Sequence, residues 1–202
     1  MSVLFIIGLL RLRKISAPFN ILVFLIGLGV ASDLFSRFLV IQFRSGLAGY
    51  HIYLPLQYLF ITIFYSFYLK NKFWFTYSPL LILIFSIINT LFFQSVWSVP
   101  SNVVLISSLI FVIYSLLTFK YLLSDVSSST SLVRLDIFWC NAIIAAYFTC
   151  IFFCWSFYNF FLRHNIAATV FTNTIYYANY IYYFTLGISI YLNSKKERKL
   201  IW

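Results

Sequence analysis

Long apolar runs, broken by a few charged or turn-forming residues, make up most of the chain. Six of them are long enough to cross a bilayer as helices: Pro18 to Phe43, Tyr50 to Leu69, Phe73 to Phe93, Val103 to Leu123, Asp136 to Phe160 and Ile166 to Leu192. A hydrocarbon core of about 30 Å needs roughly 20 apolar residues per helix. The runs are rich in Ile, Leu, Phe and Tyr on every side of a helical wheel, and neither strand alternation nor barrel turns separate them. In lipid, backbone polar groups have no water to bond, so helices are the expected elements. Ahead of these runs, Ser2 to Leu10 is apolar but short, and Arg11, Arg13 and Lys14 follow it. A signal peptide carries its charges before the apolar stretch, so this order predicts either a short or tilted seventh helix or a stub lying in the interface. The expected fold is all-α: a polytopic transmembrane bundle of six full spans plus the short N-terminal helix as a seventh span, with residues 1–202 forming one integral membrane domain.

Composition strengthens that reading. Of the 202 residues, 63% are apolar and only 9% are charged, against about 25% charged in a soluble domain. Too few charges exist to cover a water-facing surface, which excludes a soluble enzyme, a disordered tail and a disulfide-stapled secreted module.

Charge placement gives an orientation. The formal net charge is +10. With the carboxyl terminus in the cytoplasm, eleven basic residues fall on the cytoplasmic side: Arg11, Arg13, Lys14, Lys70, Lys72, Lys120, Arg134, Lys195, Lys196, Arg198 and Lys199. Only Arg44 and Arg163 fall on the other side, and Arg37 is the one cation expected inside a helix. This is the positive-inside pattern expected of a multi-pass membrane protein. The connections are short, apart from a Ser-rich stretch at 124–134, read as a flexible cytoplasmic loop, and a basic cytoplasmic tail at 194–202.

Within the runs, Asp33 and Arg37 stand out as an i, i+4 pair in the first long helix. Each charge near the bilayer centre costs about 2.5 to 3.5 kcal/mol on insertion scales, so an intramembrane acid marks either a functional site or a packing salt bridge. Gln57, Asn89, Asn141, Asn173 and Asn179 interrupt apolar sequence as well, and amides in lipid hydrogen-bond across helices. Asp33, Arg37, Gln57, Asn141 and Asn173 are the candidate intramembrane polar site, able to bias two packings of the bundle or to line a small transporter or pore. The tail residues Lys195, Lys196, Arg198 and Lys199 are candidates for contact with anionic lipid or with an acidic cytosolic partner.

No catalytic arrangement is visible. There is no Gly-x-Ser-x-Gly, no His-Glu-x-x-His, no Gly-rich phosphate loop and no pair of carboxylates. His51 and His164 lie far apart, and Cys140, Cys150 and Cys154 share one run without disulfide or metal-ligand spacing. No enzyme activity, cofactor or metal is expected. Arg44 and His51 resemble the spaced Arg and His of HEPN ribonucleases, but they sit at the expected outer boundary, where His51 belongs to the headgroup region and direct nucleic-acid contact is not expected. Gly27 with Ala31, and Ala142 with Ala146, are small residues four apart that suit close helix packing, within the chain or against a second copy. Tyr176, Tyr180 and Tyr183 are expected on one helix face.

Several local patterns together resemble a known group. They are Tyr50-His51-Ile52-Tyr53 followed by Gln57, then Phe138-Trp139-Cys140-Asn141 with Tyr147-Phe148, then Asn173 ahead of Lys195-Lys196. The chain is similar in these to small seven-helix membrane proteins of Bacteroidetes, which usually carry Glu where Gln57 stands. Some of them resemble sensory membrane modules associated with histidine kinases. In general form it also resembles the membrane accessory proteins that accompany RNA-cleaving, RNA-guided CRISPR nucleases. The first likeness implies a sensor or accessory module that couples a membrane event to a cytosolic protein such as a kinase. The second implies a nuclease partner in antiviral defence.

Overall fold

The computed structural model describes residues 1–69, 72–125, 136–163 and 168–196. Among them every regular element is helical: α1 (Ser2–Leu9), α2 (Ala17–Phe43), α3 (Ala48–Ser66), α4 (Lys72–Ile88), α5 (Ser101–Asp125), α6 (Asp136–Arg163) and α7 (Ala168–Lys196). A 3-10 turn covers Leu12–Lys14, and a π-helical turn, Asn89–Phe93, prolongs α4. The expected runs and the observed helices agree to within a few residues.

Local chemistry sets the ends. Pro18 lies in the first turn of α2, where its missing N–H costs nothing. Arg44 closes α2 in the left-handed region, with φ 58°, and its N–H reaches the Val40 carbonyl. Pro100 precedes α5, and Asp136 places a negative charge at the positive end of α6. Lys120 falls inside α5, so Arg37 is not the only cation within a helix. Lys120 is exposed near the end of α5, where a lysine can extend its amine toward water.

Among the described residues, four helical stretches are long and apolar enough to cross a membrane: Ala17–Phe43, Phe73–Phe93, Ser101–Ser124 and Asp136–Tyr158. α3 and α7 are long but carry His51, Pro55 and Gln57, or Asn173, Asn179 and Asn193, among many tyrosines, which lowers their apolarity. α1, with eight residues, extends about 12 Å, less than half of a bilayer core. Large apolar side chains stand exposed on these helices. Ile41, Leu91, Phe92 and Phe93 each expose between 70 and 77% of their surface, an arrangement suited to lipid and costly in water.

The chain divides into two compact units, Met1–Val103 with Ile190–Trp202, and Val104–Ser189. In the first, α2 and α3 form a hairpin whose core holds Leu22, Val23, Ile26, Ile61, Phe64 and Tyr65, all fully buried. Phe19 meets Phe64 edge-on at 6.4 Å. α1 packs antiparallel to α2, with Gly8 against Val23 and Gly27 against Phe5. A Cβ at Gly27 would run into the Phe5 ring. The small residue noted in the sequence thus serves an approach within the chain. In the second unit, Phe111 of α5 packs on Phe148 of α6 at 4.6 Å, and Tyr147 of α6 stacks on Tyr182 of α7 at 4.1 Å. Cys140, Cys150 and Cys154 are free thiols.

Most of the Ser-rich stretch, from residue 126 on, lies outside the described residues, while Ser124 and Asp125 belong to α5. Arg198, Lys199 and His164 also lie outside them, and α7 ends on Lys195 and Lys196.

Candidate functional site

The first unit carries two polar clusters, and α2 runs between them. One lies where α3 begins and α4 ends. His51, in the first turn of α3, has both ring nitrogens engaged: Nδ1 lies 2.6 Å from Thr90 Oγ1, and Nε2 lies 2.9 Å from the Ser98 carbonyl oxygen. Thr90 in turn donates its hydroxyl to the Ser86 carbonyl at 2.8 Å. Pro55, four residues on, cannot donate to the His51 carbonyl, so the first turn of α3 is short of a helical bond there.

Beside this ring sits an amide network. The fully buried Asn89 donates from Nδ2 to Gln94 Oε1 at 2.8 Å and accepts from Asn102 Nδ2 at 2.9 Å. Gln94 Nε2 donates to Ser101 Oγ at 2.7 Å, and its backbone N–H closes the π turn onto the Asn89 carbonyl at 2.7 Å. π turns of this kind occur often at functional sites. Here the extra residue lets one amide bind both the turn that follows it and the start of α5. Residues 73–119 contain no Lys, Arg, His, Asp or Glu, so no carboxylate on those elements faces the imidazole.

The second cluster joins the start of α2 to the end of α7. Asn193 Oδ1 accepts from the Ser16 backbone N–H at 3.1 Å and from its hydroxyl at 3.3 Å. The Arg11 guanidinium donates to Ser194 Oγ at 2.7 Å and lies 4.4 Å over the Tyr191 ring. The basic residues Lys195 and Lys196 follow directly.

The residues singled out in the sequence fall into different places. Asp33 and Arg37 stand exposed on α2, one turn apart, with the Arg37 charge acting on Asp33. Gln57 on α3 is buried, so within this unit it does not share Asp33's surroundings. In the second unit Asn141 is fully buried and donates to the Ser115 carbonyl at 2.9 Å, tying α6 to α5. Asn173 is exposed, whereas Asn179 accepts from the Tyr147 hydroxyl at 2.6 Å. Tyr176 and Tyr180 are exposed with their hydroxyls 2.8 Å apart, but Tyr183 is buried. The three do not make one wall, because three residues beyond Tyr180 the helix has turned toward the core.

Among the described residues, two apolar grooves open on the helix surfaces. One, of about 150 Å³, lies between α2 and α3 along Ala31, Ser32 and Gly49. The other, of about 230 Å³, lies between α6 and α7 beside Ala146, Cys150 and Tyr182. Both suit acyl chains more than polar ligands.

Sequence reasoning missed Thr90 because it reads as part of the run Phe73 to Phe93, and Gln94, Ser98, Ser101 and Asn102 because they read as an uncharged connection. It also missed Ser16, Asn193 and Ser194, which read as helix ends. The available signal was the density of amides and hydroxyls in a segment with no charge to solvate it. No family model matches the chain, and comparisons with curated proteins and with solved structures return no match.

Proposed function

We propose that this protein is a non-catalytic sensor or accessory module of the bacterial inner membrane. Six helices cross the bilayer in this reading, α1 lies beside α2 as a partial span, and the carboxyl terminus faces the cytoplasm. An event at the His51 and Asn89 cluster, on the outer side, reaches the cytoplasmic side through the α2–α3 hairpin. A cytosolic protein, such as a kinase or a nuclease, reads it at the basic tail.

One observation carries this reading: the junction before α2 is bound to the end of α7 through Ser16–Asn193 and Arg11–Ser194. A displacement of α2 along its axis therefore acts directly on the helix end that carries Lys195 and Lys196. The 27 residues of α2 extend about 40 Å, enough to link the two faces of a bilayer. The eleven-to-two distribution of basic residues supports the orientation.

The experiment is crosslinking and capture from native membranes with the full chain. It is compared with a variant carrying Glu at 195, 196, 198 and 199. The wild-type chain recovers a cytosolic protein, and the variant loses it. Equal recovery by both, or recovery of nothing by the wild type, contradicts the proposal. Solute flux in proteoliposomes would favour the rival reading, a pore or transporter.

A further inference from the structure

We infer that the part of α2 from Asp33 to Phe43 is a self-association face. A second copy of this chain packs against it in parallel, and the Asp33 and Arg37 charges of the two copies pair across the contact. α1 covers only part of this side of α2. It lies along a seam that holds Val23 and Gly27, where Gly8 and Phe5 make the contact. At helical spacing the same seam continues as Leu34, Phe38 and Ile41, and each of these exposes more than half of its surface. One side of α2 is thus packed near its start and bare toward its end.

Hydrophobicity alone would leave that face to lipid; the charges argue otherwise. Asp33 and Arg37 lie along one edge of the seam, and both are exposed. Asp33 is only about 4.5 Å along the axis from the midpoint of α2, so lipid would meet its carboxylate deep in the hydrocarbon. The Arg37 charge acts on it from one turn away, but that pairing leaves both groups uncovered. Acyl chains offer neither a partner, and a phosphate headgroup would serve Arg37 alone. A second α2 serves both. The membrane orients the two copies alike, so they pair about a two-fold axis along its normal and the same patch meets itself. Asp33 of each copy then lies about 6 Å along the axis from Arg37 of the other, a rise that an arginine side chain spans. The four charges sum to zero, and Leu34, Phe38 and Ile41 pack beside them.

This goes beyond the sensor reading and needs only that α2 crosses a membrane. The test uses the full chain in native membranes, with Cys140, Cys150 and Cys154 replaced by Ala. Under oxidation, Leu34→Cys and Ile41→Cys each give a disulfide-linked dimer of the chain. Phe35→Cys, exposed on another side of α2, does not. In a second experiment Asp33→Arg and Arg37→Asp are carried on differently tagged chains. Each variant alone loses the dimer, because four like charges meet. Expressed together they regain it as a mixed pair, which also shows that both are folded. Monomers at both seam positions, linkage to a different protein, or equal linkage through Phe35→Cys overturns the inference. So do single-charge variants that still dimerise, or a mixed pair that stays apart while both chains reach the membrane. Failed capture of a cytosolic protein leaves this dimer standing, and a monomeric chain leaves the capture standing.

Discussion

Asn193, near the end of α7, holds Ser16 by both its backbone N–H and its hydroxyl, at 3.1 and 3.3 Å. The two residues are 177 positions apart. Ser16 is the cap residue of α2, and its own side chain makes no capping bond to that helix. An amide from the far end of the sequence thus anchors the start of α2.

Replacing Asn193 by Ala leaves that N–H without its partner in a half-buried place. The expected loss is about 1 to 3 kcal/mol, read as a lower unfolding temperature of the purified chain. Asn193→Asp keeps an acceptor oxygen and loses less. Equal effects of the two substitutions would show that the bond to Ser16 is not what Asn193 provides.

Arg11 acts at the same junction through two contacts, Ser194 and the Tyr191 ring. A double-mutant cycle on Arg11→Lys and Tyr191→Leu should give a coupling of about 0.5 to 1 kcal/mol. Strict additivity would remove the ring contact from the account.

α1 depends on a close approach. Gly27→Ala puts a methyl group into the Phe5 ring, and overpacking of this kind costs about 1 to 3 kcal/mol. Hydrogen exchange over residues 2–9 should rise in that variant. Phe5→Ala, added to it, should restore protection, and a failure of this rescue would mean that α1 does not pack on Gly27.

Two amides with the same sequence character should behave differently. Asn141→Ala removes a bond from a buried side chain to the Ser115 carbonyl and should cost about 0.6 to 1.7 kcal/mol. Asn173→Ala, at an exposed position, should stay within about 0.5 kcal/mol of wild type.

Much of the fold was legible from hydrophobic length alone, because a run such as Val103 to Leu123 has no other economical structure in lipid. α3 and α7 were harder to grade. Tyrosine counts among apolar residues in composition, yet its hydroxyl, together with His51, Gln57 or the asparagines, lowers the drive into hydrocarbon. The candidate site was less legible than the fold. Asp33 and Arg37 drew attention because charge is rare in the chain, but a charge announces only its cost, not its partner. The clusters at His51 and Asn193 are built from Ser, Thr, Asn and Gln, which look ordinary in a connection or at a helix end. Their meaning lies in pairings such as Ser16 with Asn193, which no local pattern contains.

The central claim is that the His51 cluster and the Arg11–Asn193 junction lie on opposite sides of a membrane. Single cysteines placed at Ser98 and at Arg13, in a chain with Cys140, Cys150 and Cys154 replaced by Ala, test it through labelling of intact spheroplasts with a membrane-impermeant maleimide. The account predicts labelling of Ser98→Cys from outside and of Arg13→Cys only after permeabilisation. Labelling of both from the same side, or recovery of the chain in the soluble fraction, would contradict it.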